Sequence, residues 1–326
     1  MGQRSVGAGP AGTGPAETGP VGAGPVGAGP AGAGPAGAGR FHRRAGSLAS
    51  GPWELELTQE GAGWSWASLR VLALPPGGSQ AFGTGGDEVL VVPLEGGCSI
   101  SCSGEHFELA GRADVFSGPS DFAYLPVGSD VELASEGGGR FALAGAKAGR
   151  RLPARREAGE AVAVELRGAG SSSRRVVNYC MPGTFEADRL IACEVVTPAG
   201  NWSSWPPHKH DEERPGEAEL EEIYYFRVAE GPAGGEGIAY QRVYGTPERP
   251  IDVLAEVRSG DVVLIPHGYH GPSMAAPGYD LYYLNVMAGP GERAWLVSFD
   301  PAHDWVRSSW DGQAVDPRLA GGGDGK

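Results

Sequence analysis

Short apolar segments separated by turn residues constrain the fold of this chain most. From Trp53 onward, runs rich in Val, Leu, Ile, Phe and Tyr are bounded by Gly, Pro, Asp or Ser. Runs of this length and composition predict β-strands, and no convincing helical pattern interrupts them. The predicted strands lie at 68–74, 88–94, 98–103, 123–126, 140–144, 190–197, 222–226, 237–244, 261–266, 281–287 and 295–299. The expected fold class is therefore all-β.

The predicted strands fall into two groups of similar length. A basic stretch rich in Gly and Ser, at about 150–175, separates the two groups. We expect one β domain at 47–160, a second at 161–318 and a flexible tail at 319–326. A duplicated jelly-roll sandwich fits this pattern, and such a fold can hold a ligand between its sheets.

The N-terminal segment has a different composition. Prolines recur five residues apart from Pro10 to Pro35, within repeats such as Gly-Ala-Gly-Pro-Ala. A period of five excludes a collagen helix, which needs Gly at every third position. Because no large apolar side chain lies between Met1 and Phe41, the segment cannot bury enough surface to offset its ordering entropy. We therefore expect residues 1–46 to be a disordered tail.

Composition excludes several classes of function. A formal charge of −14 at pH 7 repels nucleic acid and anionic lipid, so we expect neither as a partner. No apolar run approaches the ~18–20 residues of a membrane helix, and the N-terminus lacks the pattern of a signal peptide. The four cysteines form no CxxC pair, which is typical of reduced thiols in a cytoplasmic protein. A small-molecule ligand is the partner that remains.

Two histidine motifs in the second half predict a metal site. In the segment His208-Lys209-His210, residues i and i+2 of a strand project from the same face, so both imidazoles can meet at one point. The second motif is a Pro-x-Gly turn followed by a histidine, Pro266-His267-Gly268-Tyr269-His270. Together the motifs predict a metal held by His208, His210 and His270, with open positions for substrate.

The remaining histidines are not expected to be ligands. His267 lies on the turn itself, and His303 lies in a C-terminal loop before Trp305. His42 and His106 have no partner residues near them in the sequence. The first domain has neither motif, so we expect it to bind no metal.

A carboxylate would complete the set of metal ligands. The acidic segment 211–221 separates the first histidine motif from the next predicted strand, and Glu222 begins that strand. Tyr224 shares the face of Glu222, whereas Glu221 points to the opposite face. We therefore favour Glu222 and keep Glu221 and Glu213 as alternatives.

The order of these motifs resembles the cupin superfamily, in which the first motif supplies HxH and a Glu and the second supplies a final His. Longer strings resemble the 5-deoxy-glucuronate isomerases of myo-inositol catabolism, a bicupin family similar to the 4-deoxy-5-uloseuronate isomerases of pectin breakdown. The strings are PAGNWSSWPPHKHD at 198–211, LEEIYYFR at 220–227 and GYDLYYLNVMAG at 278–289. The resemblance extends from about residue 50 to about residue 311.

This resemblance implies a double cupin that converts 5-deoxy-D-glucuronate to 2-deoxy-5-keto-D-gluconate, an aldose–ketose isomerisation. A divalent metal would act as a Lewis acid on the substrate carbonyl and stabilise an enediolate. No redox change at the metal is needed, so Zn²⁺ is sufficient and Mn²⁺ or Fe²⁺ are alternatives. Bicupin relatives are often homo-oligomers, but the sequence shows no interface.

The residues that move protons and bind the substrate are less defined by the sequence. Arg242, on a predicted strand, is the candidate for the substrate carboxylate because a guanidinium can bind a carboxylate in a bidentate manner. The candidates for proton transfer are the polar groups near the motifs, namely Glu221, Tyr224, Asp280, Tyr282 and Lys209.

Two other functions remain open from the sequence alone. A cupin dioxygenase would keep the metal site but would need iron and an open position for oxygen. A sugar-binding bicupin without catalysis would keep the fold alone, although the intact histidine motifs argue against it.

Overall fold

The computed structural model of the chain describes residues 38–320. Most of the predicted N-terminal tail and most of the predicted C-terminal tail therefore lie outside the described residues. Within the described part, none of the helices is long and apolar enough to cross a membrane.

Strands dominate the described residues, which confirms the prediction of an all-β fold. The first ten strands are β1 (His42–Arg43), β2 (Trp53–Leu57), β3 (Ala67–Leu74), β4 (Gly78–Gly83), β5 (Asp87–Cys102), β6 (Glu105–Arg112), β7 (Phe122–Leu125), β8 (Asp130–Ser135), β9 (Gly139–Lys147) and β10 (Arg155–Glu157). The others are β11 (Ala163–Arg167), β12 (Arg174–Cys180), β13 (Ile191–Thr197), β14 (Trp202–Ser203), β15 (His208–Lys209), β16 (Glu221–Val228), β17 (Ala239–Tyr244), β18 (Asp252–Val257), β19 (Val262–Ile265), β20 (Tyr269–Ala275), β21 (Leu281–Ala288) and β22 (Ser298–Phe299). The helices are short: α1 (Ala38–Phe41), α2 (Gln59–Ala62), α3 (Pro317–Ala320) and 3₁₀ turns at Gly159–Ala161, Gly170–Ser172 and Asp304–Trp310.

Residues 38–46 depart from the predicted tail. Strand β1 pairs with β19, with His42 opposite Val263, and Nε2 of His42 lies 2.8 Å from Oδ2 of Asp261. The backbone N–H of Ala45 donates to Oδ1 of the same aspartate. The prediction of disorder is wrong for these nine residues, because a buried carboxylate distant in the sequence supplies hydrogen bonds that the local composition could not reveal.

Strands of residues 53–157 form one antiparallel sheet assembly. Its main path is β10-β7-β5-β9-β3-β2. Strands β6 and β8 pair with the long strand β5, and β4 pairs with β8. Strand β5 changes register between Pro93 and Glu95, and it pairs with β9 before this point and with β6 and β8 beyond it. One strand therefore contributes to both layers of this domain.

Strands from 163 to 299, together with β1, form the two antiparallel sheets of the second domain. The seven-stranded sheet has the order β1-β19-β16-β21-β13-β12-β11, and the six-stranded sheet runs β18-β17-β20-β15-β22 with β14 paired to β20. Between the sheets lies an aromatic and aliphatic core that includes Tyr224, Phe226, Val243 and Tyr283. The histidine motifs belong to the six-stranded sheet, and Glu222 faces them from the seven-stranded sheet.

The central strands of the seven-stranded sheet, β13, β16 and β21, are largely buried on both of their faces. Along β16, Tyr224 and Phe226 face the interior of the second domain, whereas Ile223 and Tyr225 pack in a core shared with the first domain. Strand β21 is buried at every position for the same reason. Each residue of these central strands therefore faces either the jelly-roll interior or the domain interface, according to its parity.

Candidate metal centre and active site

Three histidines from two neighbouring strands converge inside the second domain. His208 on β15 lies directly opposite His270 on β20, and the centroids of their rings are 4.4 Å apart. The ring of His210 lies 4.7 Å from that of His270. One nitrogen of each ring lies within 4.8 Å of the others, a spacing at which one cation can contact all three.

Glu222 approaches these histidines from the opposite sheet. Its Oε2 lies 3.0 Å from Nε2 of His210 and 3.0 Å from Nε2 of His270. Its Oε1 accepts a hydrogen bond from Nδ2 of Asn285 at 2.7 Å. Burial opposes ionisation of this carboxyl, but the two histidines outweigh burial and lower its pKa to about 2. Glu222 is therefore a carboxylate at neutral pH.

The hydrogen bonds of the imidazoles leave their Nε2 atoms available to a metal. Nδ1 of His210 lies 3.2 Å from the carbonyl oxygen of Leu220, and Nδ1 of His270 lies 3.2 Å from that of Gly268. Carbonyl oxygens only accept, so a proton on Nδ1 of each ring would satisfy these contacts and leave Nε2 of that ring free to bind a metal. Nε2 of His270 is buried without a hydrogen-bond partner among the described residues. Three imidazole nitrogens and a carboxylate oxygen fit a divalent cation.

The protonation of His208 is consistent with such a site. Burial, with the charges of His270 and His210, lowers the pKa of His208 well below its ordinary value. A neutral imidazole is the form that binds metals. The cluster can therefore bind a divalent metal.

A narrow cavity of ≈ 40 Å³ adjoins the histidine cluster, and His208 and Glu222 line it. Tyr224 and Tyr283 also line the cavity, with their rings stacked at 4.8 Å. Oγ of Ser204 lies 3.0 Å from the Tyr224 hydroxyl. Burial raises the pKa of both phenols, so each is a hydrogen-bond donor at neutral pH.

Two arginines line the same cavity, Arg167 on β11 and Arg174 on β12. The side chain of Arg167 makes two hydrogen bonds to Glu165, at 3.0 and 2.6 Å. Arg174 is 8% exposed and donates from Nη1 to the carbonyl oxygens of Ser172 and Trp205. The sequence placed both arginines only in the basic stretch at about 150–175 between the two groups of strands, and the pairing of β11 with β12 brings them to the cavity.

Of the five candidates for proton transfer, Tyr224 alone lines the cavity. Glu221 points to the first domain, where its carboxylate accepts hydrogen bonds from the backbone N–H groups of Ser65, Trp66 and Ala67. Tyr282 also faces the domain interface, with its ring 5.8 Å from the guanidinium of Arg112. The parity of both residues on buried strands turns them away from the histidines.

Lys209 and Asp280 lie outside the cavity as well. Nζ of Lys209 bonds Asp211 and Glu217, on the face of β15 opposite to His208. Asp280 accepts a hydrogen bond from the backbone N–H of Ala199 in a loop. These two side chains stabilise loops around the site.

Arg242 does not reach the cavity that was expected to receive a substrate carboxylate. Its guanidinium bonds the carboxylate of Asp252 and the carbonyl oxygen of Val253 on the neighbouring strand β18. Strand β17 alternates buried and half-buried residues, and Arg242 lies on its half-buried outer face.

Other residues weighed from the sequence lie apart from the cluster. Glu213 is exposed, and its carboxylate lies 3.5 Å from the backbone nitrogen of Glu219. His303 packs against Trp205, with ring centroids 5.1 Å apart. Neither Glu213 nor His267 is among the residues that line the cavity. Asn285, which was not predicted as a site residue, contacts Glu222 directly.

Comparisons with known proteins identify the family of the chain. The KduI/IolB family matches residues 41–306. A 5-deoxy-glucuronate isomerase of Geobacillus kaustophilus is 43% identical over 78% of this chain and 91% of its own length, and that of Bacillus subtilis strain 168 is 36% identical over 77% and 91%. These matches confirm the resemblance found in the sequence.

Solved structures extend the comparison to the fold. An IolB-like protein of Salmonella typhimurium LT2 superposes with a TM-score of 0.75 at 33% identity, covering 82% of this chain and 98% of that one. A Bacillus subtilis oxalate decarboxylase has a TM-score of 0.52 at 11% identity over 75% and 74% of the two chains, which concerns the fold alone. The double-cupin prediction is confirmed. The chain is an isomerase, and it belongs to the KduI/IolB family.

Proposed function

We propose that this protein converts 5-deoxy-D-glucuronate to 2-deoxy-5-keto-D-gluconate in myo-inositol catabolism. The observation that carries the proposal is the convergence of His208, His210, His270 and Glu222 beside a cavity that also contains two arginines. This combination suits a substrate with a carbonyl to polarise and a negative charge to bind. The names of the relatives supply the particular sugar acid.

We assign His208, His210, Glu222 and His270 as the metal ligands and Zn²⁺ as the metal, with Mn²⁺ or Fe²⁺ as alternatives. Three nitrogen ligands and one carboxylate suit each of these ions. When bound, the metal supplies a Lewis acid for the carbonyl and the adjacent hydroxyl group of the substrate.

Side chains that line the cavity would carry the protons that move in the reaction and hold one another in position. In the isomerisation, C2 and its hydroxyl lose protons while C1 and its carbonyl oxygen gain them, so the reaction is neutral in protons and electrons. Tyr224, supported by Ser204, is the candidate that can carry a proton at its phenol oxygen. Tyr283 packs against its ring and fixes its orientation.

The cavity must widen to hold a six-carbon acid, because ≈ 40 Å³ is far below the roughly 300 Å³ of small ligand pockets. Trp295 lines it from the irregular segment that follows β21, so a shift of this segment would open the site.

We further propose a cytoplasmic location. The four cysteines are all free and buried, which suits a reducing compartment.

The test is to incubate the metal-replete protein with 5-deoxy-D-glucuronate in D₂O and to follow the C1 aldehyde proton by NMR. We expect loss of this signal and incorporation of deuterium at the new CH₂OH carbon. The double substitution His208→Ala and His210→Ala is the control, which we expect to remain folded without metal or activity. Persistence of the aldehyde signal would refute the assignment, and oxygen uptake would favour a dioxygenase.

A further inference from the structure

The cavity beside the histidines contains a guanidinium without a counterion. Within residues 38–320, Arg174 forms no ion pair, although it is 8% exposed. Burial lowers its pKa to about 10, still well above neutrality, so the side chain remains charged. A buried and uncompensated charge is costly, and such a group is usually paired with a ligand or another residue.

A second arginine makes this arrangement more unusual. Arg167 lies directly opposite Arg174 on the neighbouring strand, and both side chains line the cavity. Like charges in opposite positions of two strands destabilise a sheet. Glu165 compensates Arg167, which leaves one net positive charge from this group of three residues.

The free edge of Arg174 has the geometry of a carboxylate receptor. Its Nη1 is engaged by the carbonyl oxygens of Ser172 and Trp205, at 3.0 and 3.3 Å. Nε and Nη2 have no acceptor among the described residues, and these two donors form the side-on fork that binds both oxygens of a carboxylate. The ring of Trp310 lies 5.6 Å from the guanidinium carbon and supports its plane.

We propose that Arg174 binds the carboxylate of the substrate through Nε and Nη2, while Arg167 adds positive charge beside it. This inference rests on the proposed function for the identity of the sugar acid. The carboxylate end would then lie toward β11 and β12, and the carbonyl end toward His208 and Glu222. The cavity would select acids over neutral sugars in a protein whose overall charge of −14 repels anions.

Binding of a non-reacting pair of ligands tests the proposal independently of turnover. The first ligand is 5-deoxy-D-glucuronate reduced at C1 to the alcohol, and the second is the polyol in which the carboxylate is also reduced. Calorimetry on the metal-replete protein should show that the acid binds roughly 50-fold more tightly than the polyol. Equal binding of the two ligands to the native protein would overturn the proposal without the need for any variant.

Two substitutions of Arg174 and one matched control test whether Arg174 causes the preference for the acid over the polyol. Arg174→Met should bring the ratio of the two dissociation constants close to one, with unchanged metal content. Arg174→Lys keeps the charge but lacks the fork, so we expect an intermediate ratio. Arg175→Met removes the same charge from the other face of β12, where Arg175 bonds the carbonyl oxygen of Phe116, and should keep the native ratio.

The outcomes separate this inference from the proposed function. A native ratio in both Arg174 variants would contradict the role of Arg174, whatever the turnover. A preference that depends on Arg174 in a protein that does not isomerise 5-deoxy-D-glucuronate would support the carboxylate site and refute the proposed reaction.

Discussion

Asn285 donates a hydrogen bond from Nδ2 to Oε1 of Glu222 at 2.7 Å, across the neighbouring strands β21 and β16. This contact fixes the carboxylate with Oε2 toward His210 and His270. A partner that orients a metal ligand contributes to metal affinity, even though it does not contact the metal itself.

We therefore predict that Asn285→Leu weakens metal binding roughly 10- to 100-fold while the fold is retained. Competition with a chelator of known affinity would measure the change. Asn178→Leu is a suitable control because Asn178, on β12, does not line the cavity. Unchanged metal affinity in Asn285→Leu would mean that Glu222 does not need this orientation.

Glu221 is expected to act in stability and not in catalysis. Its carboxylate accepts hydrogen bonds from three backbone N–H groups of residues 65–67 in the first domain. A glutamine amide has a single acceptor oxygen, so it could accept only some of these hydrogen bonds. Glu221→Gln should lower the free energy of unfolding by about 1–3 kcal/mol and leave the pH profile of kcat unchanged. Urea-induced unfolding and a pH series at saturating substrate would check both. Loss of one limb of the pH profile of kcat in Glu221→Gln would instead support Glu221 as a catalytic base.

The ion pair between Arg112 and Glu194 joins the two domains in a buried interface. Two hydrogen bonds of 2.8 Å connect the groups, and their side chains are 3% and 0% exposed. Arg112→Met alone should cost about 3–5 kcal/mol of unfolding free energy, because it leaves a buried carboxylate without its partner.

Replacing both partners should recover much of this loss. The variant Arg112→Met with Glu194→Met should unfold at a higher urea concentration than Arg112→Met, since an apolar pair leaves no unpaired charge. The exposed pair Arg307 and Asp304 is the control, and its removal should cost less than about 1 kcal/mol. A double variant less stable than the single one would contradict this account.

Acid should destabilise the loops that hold the histidine motifs through Glu217. Burial opposes its ionisation, but hydrogen bonds from Lys209, Ser298 and Arg214 outweigh burial and lower its pKa to about 2. A carboxyl whose pKa is lower in the folded state stabilises the protein fully above pH 4.5, its ordinary pKa. This contribution disappears as the pH falls from 4.5 toward about 2.

Glu217→Gln tests this dependence. In that range, the variant should lose unfolding free energy less steeply than the native protein, by up to about 1.4 kcal/mol per pH unit. Urea unfolding at several pH values would measure the two slopes. Glu212 is half-exposed and forms an ion pair with the same Lys209, so Glu212→Gln should keep a slope close to that of the native protein. Identical slopes for Glu217→Gln and the native protein would contradict the assignment.

Local patterns in the sequence carried much of the information about this site. Alternation along a strand predicted that His208 and His210 share a face, and the histidine after the Pro-x-Gly turn identified His270 as the third member of the cluster. The same alternation separated Glu222 from Glu221, and the structure places the former at the histidines. These inferences depend only on the two-residue period of a strand, which is the same whichever strand it pairs with.

Only the tertiary structure decided which residues of distant strands meet at the site. Arg174 and Asn285 lie on β12 and β21 of the seven-stranded sheet. These two strands bury residues on both faces and therefore lack the alternation of polar and apolar residues that would mark their inner side. The sequence instead selected Arg242, whose strand alternates clearly but presents that arginine to Asp252. Residue parity follows from the sequence, but long-range pairing alone decides which face meets the cavity and which meets the other domain.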